Sequence, residues 1–406
     1  MNWHHWIKDA EIMNLIRINE NEDVAKLALQ WHKHSYLPVQ WMLQQITGRQ
    51  IARQKLPEWY ANENIVYPDR TALEQCSSTI TALYKRKFAE GKRVADLTGG
   101  LGVDAWALAG VAEKLFYCEP DPLRFEITQH NFSMLGLSNV EFLNSTAEKS
   151  IPKLLEFNPH LIYLDPSRRD NGKRFFKLED LQPDILTLLP ELLQISNNVV
   201  MKAAPMLDIK LGIRQLEKVQ EVHVISMRNE CRELLFNISQ QSVSDPLIQC
   251  VEFHHSRDWK YNFRFSEEEN AAIKAGPIAS YILDPYASIT KGGCFKMLTK
   301  DYDVHLLNAN THLYTADTKP KGFPGRCFSV VEVFPYDIGL IRESIADKKA
   351  HLLFRNFPVK PEEVEKKLKF SSGGNCYLFF ITDHTGKTRA ICTQLIPPSG
   401  TQISAS

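Results

Sequence analysis

Asp96 stands just before Gly99, Gly100 and Gly102 in the stretch "VADLTGGLGVD" (94–104), and Glu119 follows twenty-three residues later in "YCEPD". An apolar run that ends in an acid reads as a strand tip, and a glycine loop after it lets a ligand lie directly on the backbone. A second acid at the tip of the next strand is placed to accept both hydroxyls of a ribose. These residue types at this spacing suit a nucleoside cofactor at the carboxyl edge of a parallel sheet.

Two cofactors compete for that loop. "GLGVDA" (100–105) satisfies the loose G-x-G-x-x-G/A dinucleotide pattern, with Glu119 near the expected distance. Asp96 discriminates, because a carboxylate directly before the glycines would face a pyrophosphate, a like-charge contact in a poorly hydrated site. S-adenosylmethionine brings a cationic amino-acid moiety and a sulfonium to the same place, so there the charge becomes favourable. The third strand ends "FLNSTAE", where Asn144, Ser145 or Thr146 can bond an adenine edge or merely cap a turn.

The fourth strand ends in "YLDPSRRD" (163–170). In a doubly wound sheet Asp165 then stands beside the loop after the first strand, near the topological switch point. With the carbonyl of Pro166, its carboxylate can accept hydrogen bonds from an exocyclic amine and orient the amine's lone pair. The loop that follows, "RRDNGKRFFK", sets Arg168, Arg169, Lys173, Arg174 and Lys177 around Phe175 and Phe176, against the one acid Asp170. Basic side chains interleaved with aromatics suit a nucleic-acid strand, and a solvated basic loop is the bland alternative.

The elements that must position these residues follow from hydrophobic period. Residues 1–64 alternate at helical spacing and predict a helical cap, whose Trp3, Trp6, Trp31, Trp41 and Trp59 read as core rather than as a base-stacking surface. From residue 65 strands and helices alternate, predicting a doubly wound α/β domain of seven strands over 65–242. Residues 243–325 read as an irregular connecting region, helical in part, and 326–406 as a small α+β unit.

With these residues the sequence resembles the class I S-adenosylmethionine-dependent methyltransferases. "VADLTGGLGVD" stands as donor loop, Glu119 as ribose acid, and "DPSRR" in place of the [D/N]-P-P-[Y/F] tetrad. More narrowly it resembles the bacterial family with a THUMP-like domain at the C-terminus, marked also by "LEQCSSTITALYK" (73–85) and "MRNECRELL" (227–235). The resemblance implies a seven-stranded Rossmann-like methyltransferase sheet and a THUMP-like, ferredoxin-like C-terminal part. It implies S-adenosyl-L-methionine held by Asp96, Thr98, Gly99, Gly100, Gly102, Glu119, Asn144, Thr146 and Asp165. It further implies an acceptor site of Asp165, Pro166, Arg168 and Arg169. By analogy with THUMP-bearing relatives it implies an RNA substrate, tRNA or rRNA. Arg168 departs from the aromatic residue usual at the fourth tetrad position, so the target atom is the open point.

Composition narrows the rest. The 406 residues carry 48 Lys plus Arg against 48 Asp plus Glu, so any attraction to nucleic acid is local, as in "YKRK" (84–87), "KPKGFPGR" (319–326) and "EKKLK" (365–369). Eight cysteines lack the short spacings of zinc or dithiol sites, which predicts reduced thiols in a cytoplasm. The adjacent pairs His4–His5 and His254–His255 make no metal site, since neighbours in sequence point apart. No run of about 18 apolar residues predicts a membrane span. Methylation at pyrimidine C5 needs a cysteine nucleophile, and Cys76 reads instead as a buried small side chain. The expectation is therefore a cytoplasmic methyltransferase acting on a base nitrogen in structured RNA, with guanine as one candidate. The alternatives are an RNA-binding module without catalysis and a small-molecule methyltransferase.

Overall fold

The computed structural model describes residues 3–34, 36–168, 177–254 and 258–397. Contacts divide the chain into two units, Met1–Val219 with Phe236–Ser242, and Gln220–Leu235 with Val243–Ser406.

In the first unit, β1 (Arg93–Asp96), β2 (Lys114–Cys118), β3 (Val140–Leu143), β4 (Leu161–Leu164) and β5 (Asn198–Ala203) pair in parallel in the order β3-β2-β1-β4-β5. The runs "LFYC", "LIYL" and "VVM" are buried throughout, as strands covered on both faces must be. The order reverses between β1 and β4, which places the tips of β1, β2 and β4 side by side at the switch point. Helix Pro122–Met134, after β2, is started by Asp121, whose carboxylate accepts Arg124 N–H at 2.8 Å, with Pro122 in its first turn.

The N-terminal region is helical, with Ala10–Ile18, Val24–Trp31 and Val39–Lys55 as its main helices and Asp9 and Asp23 as caps of the first two. Trp3 and Trp41 are buried among Ile12, Ile16, Leu27 and Ile46, and Trp6 and Trp31 pack against that cluster. Trp59 is buried as well, so the tryptophans are core, not an open stacking surface.

The chain continues with β6 (Val219–Met227), β7 (Glu230–Ser239), β8 (Leu247–Phe253) and β9 (Trp259–Arg264); β8 pairs in parallel with β6 and antiparallel with β9. Two of these strands lie in the stretch expected to be irregular. "LIQCVEF" conceals its strand because Glu252 interrupts the apolar run, yet Glu252 is buried and accepts from Ser226 Oγ and Asn229 N–H. "WKYNFR" alternates in burial, as an edge strand does.

The second unit also holds a seven-stranded sheet built from β10 (Tyr281–Pro285), β11 (His305–Leu306), β12 (Tyr314–Ala316), β13 (Gly325–Pro335), β14 (His351–Arg355), β15 (Cys376–Thr382) and β16 (Thr388–Ile396). Its order is β11-β12-β10-β13-β16-β15-β14. Helices Ile338–Ser344 and Pro361–Leu368 bury Ile341, Val364 and Leu368 against Phe334, Leu378 and Phe380. Among the described residues no helix is long and apolar enough to cross a membrane.

Candidate functional site

The glycine loop is pinned from two sides. Thr98 N–H donates to Asp96 Oδ1 at 3.0 Å, which turns the chain away from the strand. Gly100 is held at both backbone groups by residues of the β2 tip: its N–H donates to Glu119 Oε2 at 2.7 Å, and its carbonyl accepts from Tyr117 OH at 2.8 Å. Gly102, at φ 75°, then starts helix Val103–Ala109. A Cβ at Gly100 would meet only one atom, Thr98 O at 3.8 Å, so that side of the loop is open. Glu119 Oε1 accepts Asp121 N–H at 2.9 Å, and each carboxylate oxygen keeps a second lone pair for a ligand.

A cavity of about 290 Å³ opens over this loop, near the lower end of the usual range for small-molecule sites. Its wall includes Asp96, Thr98, Gly99, Gly100, Gly102, Glu119, Thr146 and Asp165. Burial pushes the Asp96 carboxyl up to about 8; Thr98 N–H works against this, and Asp104, Asp165 and Glu119 add to it. Burial likewise raises Glu119, against the N–H groups of Asp121 and Gly100. A pocket lined by acids that resist ionisation favours a cationic ligand, whose charge would relieve that resistance.

Thr98 also links the first and fourth tips. Its hydroxyl donates to Asp96 Oδ1 at 3.4 Å and accepts Asp165 N–H at 2.6 Å. Asp165 Oδ2 accepts from Lys202 Nζ, on β5, at 2.6 Å. Lys202 Nζ also donates to Ser77 Oγ at 3.1 Å and lies 3.5 Å from Asp104 Oδ2. Asp104 Oδ2 accepts from Ser77 Oγ at 2.9 Å and Tyr163 OH at 2.8 Å, and its Oδ1 lies 3.0 Å from Lys85 Nζ. Burial opposes ionisation of Asp104, but Lys85, Lys202 and the Tyr163 hydroxyl hold it well below the usual carboxylate range. Four charges of alternating sign therefore run from Lys85 through Asp104 and Lys202 to the cavity wall at Asp165.

Family comparison matches residues 281–324 to a ferredoxin-like domain and 325–394 to a THUMP domain-like model. Proteins from two strains of Mycobacterium tuberculosis, CDC 1551 and H37Rv, described as uncharacterized S-adenosylmethionine-dependent methyltransferases, are each 23% identical over 339 residues. These matches cover 81% of this chain and 88% of each relative. The crystal structure of a candidate methyltransferase from Porphyromonas gingivalis W83 superposes with a TM-score of 0.85 at 29% identity. It covers 95% of this chain and 98% of that one. The chain is an S-adenosylmethionine-dependent methyltransferase. Its second unit carries the ferredoxin-like and THUMP-like sequences.

The methyltransferase's site differs in several places from what its sequence suggests. Asn144 is exposed and outside the cavity wall; its amide donates to the carbonyls of Glu119 at 2.7 Å and Pro120 at 3.2 Å. Its amide clamps the β2 tip. Pro166 is buried and not part of the wall. The backbone of Arg168 pairs with Leu181 in a short ladder, while Arg169 and the loop 170–176 lie outside the described residues. Cys76 is half-buried on the cavity wall, with its thiol donating to Leu73 O at 3.2 Å. Burial pushes that thiol up, away from a reactive thiolate. "YKRK" is not a surface patch, because Lys85 is fully buried against Asp104 and Arg86 Nε donates to Ala107 O at 3.0 Å. Among the described residues no group of three His, Cys, Asp or Glu side chains could hold a metal.

Lys202, Asp104, Lys85 and Ser77 are the residues that sequence reasoning missed. The available signal was a lysine inside the apolar run "NVVMKAA", since a lysine in a doubly covered strand must find a carboxylate. The donor loop gives a first prediction. A Cβ at Gly102 would sit 2.6 Å from Thr128 Cγ2 and 2.7 Å from Phe132 Cε1, at a left-handed φ. Gly102→Ala is expected to combine a backbone cost of about 1–2 kcal/mol with an overpacking cost of about 1–3 kcal/mol. Thermal unfolding checks it, and an unchanged midpoint would mean that the loop is looser than it stands.

Proposed function

We propose that this methyltransferase transfers a methyl group to a nitrogen of a base in structured RNA, tRNA or rRNA, with guanine as the first candidate. The observation that carries the reading is the placement of Asp165. Its carboxylate lies on the wall of the donor cavity beside Thr98 and Asp96, and among the described residues nothing bonds its Oδ1. When bound, S-adenosylmethionine supplies an activated methyl group on a sulfonium. Asp96, Thr98, Gly99, Gly100, Gly102, Glu119 and Thr146 hold that donor, and the buried acids favour its cationic end. Asp165 Oδ1 accepts a hydrogen bond from the exocyclic amine of the acceptor and turns its lone pair toward the methyl. Arg168 and Arg169 engage the base or a phosphate, and the carbonyl of Pro166 supplements Asp165.

Support for RNA over a small metabolite comes from the THUMP domain-like match at 325–394. In this reading 65–242 is the catalytic domain, 1–64 its helical cap, 243–325 the connecting, partly ferredoxin-like region, and 326–406 the RNA-capturing part. The eight cysteines are all free thiols, which supports a cytoplasmic enzyme.

The test is labelled methyl transfer from S-adenosylmethionine to tRNA and rRNA isolated from cells lacking the enzyme, followed by digestion to nucleosides. Label in one N-methylated base, falling steeply with salt, is the expected result. Donor binding without incorporation into any RNA would instead favour an RNA-binding module that keeps the fold without catalysis.

A further inference from the structure

We propose that Lys202 is a positioning residue, held in place by Asp104 and Ser77, that fixes the orientation of the Asp165 carboxylate. This rests on the reading of Asp165 as the group that orients the acceptor. A carboxylate on a strand tip can rotate about χ1 and χ2, and 39% of the Asp165 side chain is exposed, so packing alone does not choose its rotamer. The 2.6 Å contact from Lys202 Nζ to Oδ2 does choose it, and leaves Oδ1 as the oxygen for the acceptor.

An ammonium on four rotatable bonds orients nothing unless it is itself held. Lys202 is only 11% exposed at its side chain, and it is held by Ser77 Oγ and the Asp104 carboxylate. Asp104 is in turn fixed by Tyr163 OH and by Lys85, whose side chain is 0% exposed. The chain of charges is thus anchored in the interior and ends at Asp165 on the cavity wall. A purely structural purpose would be served by one buried pair, Lys85 with Asp104. The second lysine adds a tie to Asp165.

The test compares Lys202→Met and Lys202→Arg with wild type. Three measurements apply: kcat and KM for RNA methylation, donor affinity by calorimetry, and crystal structures of both variants. For Lys202→Met a fall in kcat of about 30- to 100-fold is expected, with donor Kd within about threefold of wild type. Lys202→Arg should recover most of kcat, because a guanidinium can span the same two carboxylates. In the Lys202→Met crystal structure the Asp165 carboxylate should leave its wild-type rotamer. A kcat within about threefold of wild type, or a loss of donor affinity as large as the loss of kcat, would overturn the proposal. Should Lys202→Met fail to fold, the triple variant Lys85→Met/Asp104→Asn/Lys202→Met, which buries no lone charge, takes its place with the same expectations. If wild type transfers no methyl to RNA, the functional reading falls by itself. The Asp165 rotamer in the variant structures then decides the role of Lys202 alone.

Discussion

Asp165→Ala is expected to lower the rate of methyl transfer to RNA by about 10²- to 10³-fold while donor affinity stays within about threefold. The asymmetry follows from the attachments of Asp165. Its backbone N–H is fixed to Thr98, a bond that survives removal of the side chain, and its carboxylate is fixed to Lys202, outside the glycine loop and Glu119. Removing the side chain therefore strips the acceptor of its orienting partner and leaves the donor's cradle standing. Displacement at a sulfonium-bound methyl needs a lone pair aligned with the leaving group, so orientation carries most of what a protein can add. Asp165→Asn separates alignment from charge, since it keeps the size and one carbonyl acceptor while giving up the ion pair with Lys202. The expected order is wild type, then Asn, then Ala, measured by single-turnover transfer with donor saturating. Equal incorporation by wild type and Asp165→Ala would remove Asp165 from the mechanism.

The part of this site that the sequence discloses is the part built from strand tips. "RVAD", "LFYCE" and "LIYLD" each run apolar and stop at an acid, so their period and their chemistry coincide, and the tips of β1, β2 and β4 lie where that pattern places them. The same holds for the C-terminal order of strand, helix, strand, helix and hairpin, where alternation is regular from Cys327 to Ile396. What stayed hidden depends on side-chain reach between segments far apart in sequence. Lys202 meets Asp165 thirty-seven residues away, and its second partner, Ser77, stands 125 residues away. Lys85 is the sharper case, because within "YKRK" it looks like one cation among four solvated residues, whereas it is enclosed beside Asp104. Charge runs carry no record of which member turns inward. Asn144 is ambiguous for the opposite reason. A polar residue at a strand end has two uses, and here its amide caps the carbonyls of the neighbouring tip.

Donor binding is expected to tighten as pH rises from 6 toward 8, by up to about tenfold per pH unit, and to lose that slope in Asp96→Asn. Asp96 is 1% exposed, and burial holds its carboxyl up to about 8, so near pH 7 the ligand-free protein carries it mostly protonated. A cationic ligand stabilises the ionised form, so binding must release a proton, and the affinity gains whatever free energy that release no longer costs as pH rises. The sign is fixed by the direction of the shift. A carboxyl raised in the free state and lowered in the complex binds fewer protons after binding, so the complex is favoured by higher pH up to the free-state value and gains nothing beyond it. The titration of the free donor's amine is common to the two experiments. Calorimetry at several pH values in two buffers of different ionisation enthalpy reads the released proton directly. Near pH 7, a release close to one proton for wild type, less whatever the Asp96→Asn variant releases, assigns the charge to Asp96. No difference between the two proteins would mean that Asp96 is already ionised before the donor arrives, and its role in selecting a cation would fall with that result.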